Sequence, residues 1–471
     1  MGHLKKLTTA ILIILILVAS AGATDYYVDN TGGADGNSGT STAEAWATIN
    51  KANNTVTAGD TVYIRAGTYN ETIKPGVSGA NGNRITYANY NNETVTITGV
   101  FYGADLRDRS YITLDGLRIL DTTNSWVTIK SGGYTTQNTI RNCYMNTMQS
   151  WSGISVRYST YLTIEDSTFI GTCSCNAACD RDGPADLLYL DGCSHTLLRG
   201  NTFKNGNHQS VNFQSHNGNS DWNIIVDNHI ENIWHGVLSL YGDINYAVVD
   251  NNRLLYAGEE ATTNWCGSER DRTEFAREDH RSIQFASSRC IIRRNVFVKN
   301  GTMPFLDYEG YTVNNNRVYN NTHYMDYEAV DIIAGTGNII KNNIVSDGQI
   351  FGIKGSAGNS IINNNVYECN LTANGATVQD NTNLAPGFTD AANEDFTLQS
   401  TSDMIDAGAW LTTITSATDS GTSFVVNDAT YFHDGYGLID GDEIQLEGDT
   451  APVGVTEINY DTNTITVDES I

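Results

Sequence analysis

Three histidines stand just ahead of short apolar strands: His208 three residues before Val211, His235 two before Val237, and His280 three before Ile283. If those strands stack, the imidazoles form one column at the edge of a shared face, placed to act as base or to touch substrate. Polar residues at surface bends are the plainer reading of the same spacing. Arg281 follows His280 and is one of eight arginines (Arg253, Arg270, Arg272, Arg277, Arg281, Arg289, Arg293, Arg294) within 42 residues of an otherwise acidic chain. A local positive patch suits an anionic sugar, although Glu259, Glu260, Glu269, Asp271, Glu274, Glu278 and Asp279 are enough to neutralise it. β-Elimination beside a uronate needs a cation, a base and an acid. Arg281 fits the first role, His280 or His208 the second and Tyr241 the third. Hydrolysis needs two carboxylates at a set separation, for which Asp182, Asp186, Asp191, Asp307, Glu309 and Asp331 are candidates without a recognisable motif. In DRDGPAD, the acids Asp180, Asp182 and Asp186 form a hard-oxygen set suited to calcium, or a plain polar turn. No other cofactor is implied.

These residues must be positioned by a repeat. A segment of the form apolar-apolar-x-x-Asn-x-apolar recurs ten times between Ile112 and Tyr367, as in TLLRGNTF, IIVDNHI and IIKNNIV. Its marker position holds Leu117, Asn142, Ser167, Asn201, Asn228, Asn252, Asn295, Asn316, Asn343 and Asn365, and the residue two further on is always apolar. The period of 21 to 27 residues, with intervals of 34 and 43, suits one turn of a parallel β-helix. Identical positions then stack about 4.8 Å apart, so the apolar residues make a continuous core. The marker asparagines can bond one another, and Asn also tolerates left-handed bends. The ladder is structural and carries no catalytic role.

A solenoid in register extrudes extra residues as loops. The two long intervals therefore predict loops at roughly 171–186 and 258–280, three coils apart on one edge, walling a groove. With Val211 and Phe213 pointing inward, Asn212 and Gln214 point out and form its floor with Gln284. His235, Trp234 and Trp265 are substrate contacts by the same placement, Trp222 and Tyr241 add stacking surface, and exposed Trp at bends can equally cover the core.

Residues 1–23 read as a secretory leader, with Lys5 and Lys6 before an apolar run and Ala21-Gly22-Ala23 suited to cleavage. Its run is shorter than a bilayer span needs, so a secreted or cell-surface chain without a membrane span is expected. Losing the leader takes two lysines and no acid, leaving a net charge of about −29 in place of −27. From Gly355 onward there is no Lys or Arg. So acidic a surface disfavours nucleic acid and anionic membranes. Eight cysteines in an exported chain read first as disulfides, of undetermined pairing. Cys266 with Cys290 is one arrangement.

Ser41-x-x-Glu44 is a capping box opening a helix with Ala45, Trp46, Ile49 and Ala52 on one face, suited to covering the end of the solenoid in the 24–110 segment. The run AGDTVYIRAGTYNETI, followed by SGANGNRITYANY, resembles the opening of right-handed β-helix proteins of the pectate-lyase-like superfamily, those of the chondroitinase B and alginate lyase type. NLAPGFTDAANEDFTLQSTSDMIDAG is similar to a closing coil of such proteins. The resemblance implies an all-β, right-handed parallel β-helix over 111–410 and a polysaccharide lyase or epimerase acting on uronate polymers. It also implies a basic residue where this chain has Gln214. After Gly408, alternating strands without the Asn marker predict a small β module over 411–471. The expected partner is a polysaccharide, anionic by the arginine argument, bound by a monomer. A non-catalytic surface or matrix protein and a glycoside hydrolase remain the alternatives.

Overall fold

The computed structural model describes residues 22–148, 152–171, 186–206, 208–233, 236–257, 281–305, 310–348, 350–416, 421–449 and 451–470. All but the last two residues of the expected leader lie outside them. Among the described residues no helix is long and apolar enough to cross a membrane.

Each coil gives one strand to each of three parallel sheets. Wall A runs from Asp25–Val28 to Thr377–Gln379, wall B from Gly67–Tyr69 to Asn365–Tyr367, and wall C from Ala104–Asp105 to Leu371–Thr372. Successive strands of one wall are joined through the other two, the right-handed crossover that twisted strands favour. The fold is thus the expected right-handed parallel β-helix. Strand alternation fills its interior with rows of like residues in exact register, such as Ile164, Leu198, Ile225 and Val249 on wall A and Leu188, Val211, Leu238 and Ile283 on wall C. Phe169 and Phe203 stack at 4.9 Å on wall B. Lower on that wall His323 takes an inner position, lying parallel to Phe297 at 4.3 Å with Nδ1 2.8 Å from Asp326 Oδ2.

The asparagine ladder stands at the bend between walls A and B. Asn201 Nδ2 donates to Asn228 Oδ1, Asn228 to Asn252 (both 3.0 Å), and Asn252 to Asn295 (2.9 Å). Three expected members are misplaced. Asn142 is exposed and Cys143 holds the ladder position, its N–H donating to Ser167 Oγ. Asn364, rather than Asn365, accepts from Asn343. Asn316 belongs to a second ladder, between walls C and A, through Asn338 to Asn359, and Asn321 fills the first. The ladder asparagines are also not the left-handed residues. That conformation falls one position earlier, at Gly200, Asp227, Asn251 and Arg294. One residue makes the bend and the next bonds along the axis.

Ser41 caps only the 3-10 turn Thr42–Glu44, accepting from Glu44 N at 3.2 Å. The helix is the separate Ile49–Asn53, capped by Thr48. Trp46, Ile49 and Ala52 are buried as expected.

After wall A's last strand the chain climbs back along the solenoid. A hairpin, Phe388–Asp390 and Asp395–Leu398, lies on wall B, where Phe396 meets Tyr324 at 5.3 Å and Glu394 takes Arg253 (2.9 Å) and the Tyr256 hydroxyl. Four antiparallel strands, Ser423–Val425, Glu443–Ile444, Val453–Asn459 and Thr464–Val467, form the terminal module. It buries an outward apolar stripe of wall A (Leu197, Ile224, Val248, Ile291, Tyr319) under Phe424, Tyr431, Ile458 and Ile465. Trp222 belongs to this seam, stacked on Tyr246 at 4.0 Å and edge-on to Tyr436 at 5.0 Å.

The four described cysteines, Cys143, Cys193, Cys290 and Cys369, are free. Burial pushes the first three thiols up to about 12, so they are unreactive core residues. A Cys266–Cys290 pairing would need the Cys290 sulfur, which lies in the core 3.4 Å from Ser288 O. Cys173, Cys175, Cys179 and Cys266 lie outside the described residues.

Asp105 opens wall C. Burial alone would raise its carboxyl, but hydrogen bonds from Arg107 and Lys74 outweigh this and hold it at about 2. A folded-state value below the unfolded one contributes stability that is complete above about pH 4 and is lost as pH falls toward 2. Asp105→Asn is therefore expected to lower stability at neutral pH and to flatten the acid limb of a pH–denaturation series.

Candidate functional site on wall C

The strands following the two long intervals, Asp186–Asp191 and Arg281–Ser288, stand three rungs apart on wall C, with Gln209–Gln214 and Gly236–Asn245 between them. Each alternates core and outer residues. Val211 and Phe213 are fully buried, and Asn212 and Gln214 lie on the outer face. The outer row Ser155, Tyr189, Asn212, Ser239, Gln284 is in direct register.

Polar side chains in this face are tied into a belt. Asp186 Oδ1 lies 2.8 Å from His208 Nδ1 and accepts the Gln209 backbone N–H at 3.2 Å, while Oδ2 accepts from Asn212 Nδ2 at 2.9 Å. Gln214 Nε2 donates to Asn212 Oδ1 at 2.7 Å. Gln209 Nε2 reaches across a whole strand to Gln284 Oε1, 2.9 Å away. The strand it crosses has Gly236 in register with Gln209 and Arg281, so no side chain blocks the path. Gln209 Oε1, Gln214 Oε1 and Ser239 Oγ are buried without a hydrogen-bond partner among the described residues, as expected where polar groups await water or a ligand.

Asp186 thus serves His208, Gln209 and Asn212. Among the described residues no group of three metal-ligating side chains occurs. Asp180, Asp182, Trp234, His235, Trp265 and His280 lie outside the described residues, so of the three-histidine column only His208, 41% exposed, is seen. Arg281 shares its edge, through the row Gln209, Gly236, Arg281. Tyr241 does not: it pairs with Gln214, five residues further along extended chain, roughly 17 Å away. Its side chain is 7% exposed, with its ring 5.7 Å from Tyr311. His208 and Tyr241 therefore cannot serve one sugar ring as base and acid. Asp186 and Asp191, ends of one strand, are separated by the same roughly 17 Å, too far for a hydrolytic pair.

The arginine cluster disperses. Arg253 pairs with Glu394 on wall B, and Arg293 and Arg294 share Asp250 on wall A, Arg293 also binding Asp442. Arg289 lies 5.7 Å over Tyr246 at the bend. Of the described members only Arg281 stands on wall C, because neighbours in sequence fall on walls facing different ways. Arg270, Arg272 and Arg277 lie outside the described residues. The positive patch that argued for an anionic sugar is not assembled among the described residues.

A second polar group on wall C surrounds the candidate carboxylate Asp191, and its other members, Asn217, Tyr158 and Tyr189, are not apparent from the sequence. Asp191, fully buried, accepts the Asn217 backbone N–H at 3.0 Å, the Asn217 side-chain amide and the Tyr189 hydroxyl at 3.3 Å. Tyr158 donates to Asn217 Oδ1 at 3.0 Å. No motif marks these residues. The signal available was the period itself, which puts Arg157, Asp191 and Gln214 in one row.

Residues 76–254 match the family model described as right handed beta helix region. A segment of 108 residues is 38% identical to a protein of Bacillus subtilis (strain 168) named Uncharacterized protein YwoF, covering 21% of this chain and 23% of that protein, so the match spans about a quarter of the relative's length. Among solved structures, a GH136 lacto-N-biosidase from Eubacterium ramulus aligns with 14% identity and TM-score 0.49 over 77% of this chain and 68% of its own. A pectate lyase, Pel9A, aligns with 15% identity and TM-score 0.49 over 84% and 94%.

Proposed function

We propose that wall C binds an extended polysaccharide lying across the coils from Ser152–Thr160 to Arg281–Ser288, on a chain exported from the cell. The observation that carries this is the continuous outer row of hydroxyls and amides, Ser155, Tyr189, Asn212, Ser239 and Gln284. The hydrogen bonds and ion pairs of the returning C-terminal chain fall on walls A and B. Side-chain amides and hydroxyls aligned every 4.8 Å suit a polymer whose hydroxyls recur along its length. Titrating the protein with soluble polysaccharides tests it, and Asn212→Ala with Gln284→Ala is expected to weaken binding about tenfold, a loss of about 1.4 kcal/mol. Unchanged affinity in that double variant would place the binding face elsewhere.

A catalytic reading, lyase or epimerase, is favoured by one contact. A buried carboxylate on Nδ1 of a half-exposed imidazole orients it as a general base, and Asp186 and His208 have that arrangement. With alginate, pectate and glycosaminoglycans as substrates, turnover appears as ultraviolet absorbance of unsaturated ends. His208→Ala is expected to slow it by about 10²–10⁴. Binding with neither absorbance nor new reducing ends would favour the non-catalytic surface protein.

A further inference from the structure

The edge of wall C toward wall A carries aromatic side chains that neither the core nor the belt around Asp186 uses. Tyr134 is 67% exposed, and its ring meets Tyr158 edge-on at 5.7 Å. Tyr158 is a non-glycine residue held at φ 54°, a conformation that costs a bulky side chain energy. Its hydroxyl is spent on Asn217. The Cβ-less Gly218 lies beneath Tyr134, for a Cβ there would stand 3.3 Å from the Tyr134 hydroxyl. Beside this shelf is the Asp191 group. Arg157 Nε stands 3.9 Å from Asp191 Oδ2, an ion pair too long for a hydrogen bond, and Nε is buried with no other partner among the described residues. The Arg157 guanidinium also lies 5.9 Å over the Tyr189 ring.

We infer that Tyr134 and Tyr158, with Arg157 and Tyr189 above the buried Asp191, form a subsite for a neutral pyranose unit of the polysaccharide proposed above, on whose binding to wall C this inference rests. An exposed, rigid aromatic face offers the apolar side of a sugar ring a large contact at low entropic cost. The Arg157 side chain, 35% exposed, offers donors to a ring hydroxyl, and the buried Asp191 beneath it holds the guanidinium in place rather than meeting the sugar. Charge decides the class. Arg157 is matched by Asp191, leaving no net cation for a carboxylate, and the whole chain carries a formal −27, so a uronate unit is repelled where a neutral hexose or pentose is not.

The test is calorimetric titration of the mature protein with neutral hexasaccharides of the β-glucan, mannan and xylan types, and with hexagalacturonate. At least one neutral ligand is expected to bind more tightly than hexagalacturonate. Tyr134→Ala, a change at an exposed position that should leave the melting temperature unmoved, is expected to weaken it at least tenfold, and Tyr158→Phe by a few fold. Undiminished neutral-sugar binding in Tyr134→Ala overturns the subsite while leaving polysaccharide binding standing. Preference for hexagalacturonate overturns the neutral class alone. Wild-type protein that binds none of these ligands overturns both readings.

Discussion

Replacing Arg293 with Met is expected to destabilise the protein by about 3–5 kcal/mol and to expose the C-terminal module to protease. The side chain is 7% exposed and bonds Asp250, Asp442 and the Tyr319 hydroxyl, with His433 Nε2 3.1 Å from its Nη2. Burial alone would raise the Asp442 carboxyl, but Arg293 and His433 outweigh it and hold it below the usual range. Without the guanidinium, two buried carboxylates face each other with the exposed Arg294 left to answer Asp250. Methionine fills a similar volume, so the effect isolates charge rather than packing. Equilibrium denaturation with limited proteolysis measures it. A variant as stable as the parent, its module equally resistant, would show that the apolar stripe alone seats the module. Because the carboxyl is depressed in the folded state, this contribution is present at neutral pH and is lost as pH falls through its folded-state value.

The second large effect is expected at Asn252. Its Nδ2 donates to Ile225 O, Asp250 O and Asn295 Oδ1, and its Oδ1 accepts from the backbone N–H and from Nδ2 of Asn228. Asn252→Ala leaves several of these groups buried and unpaired, at a cost of about 3 kcal/mol. Asn252→Asp keeps the shape but turns a donor into an acceptor facing three oxygens. It is expected to cost more at pH 7 and to recover partly in acid, where the carboxyl regains a proton. An Asn252→Asp variant as stable as the parent at pH 7 would show that shape rather than bonding explains the ladder.

Much of the architecture is legible because register forces one side chain to recur: a ladder residue must meet its own kind above and below. The misses at Asn142 and Asn365 arise in the runs Asn142-Cys143 and Asn363-Asn364-Asn365, where positive φ falls on Asn142 and Asn363 and the residue after each holds the ladder position. Which of them takes positive φ is a backbone fact that composition does not carry. The arginines mislead for a different reason. Closeness in sequence means one rung, and a rung has three walls. Their purpose was nevertheless written in the chain: no Lys or Arg follows Gly355, so Glu394, Asp428 and Asp442 find their guanidinium partners earlier, at Arg253, Arg317 and Arg293. At the site, periodicity placed Asn212, Gln214 and Gln284 on the outer face. It could not disclose that Asp186 gathers three donors, since that depends on how far side chains reach between rungs.

The return of the chain along walls A and B has a mechanical meaning. A force applied at the terminal module does not peel the final coil first. It is delivered through Asp442 and Asp428 to wall A strands four and three places before the last, and through Glu394 to the neighbouring wall. Such a load shears many stacked strands at once instead of unzipping them singly, as a strap buckled around a stack of plates resists a tug better than a thread tied to the bottom one.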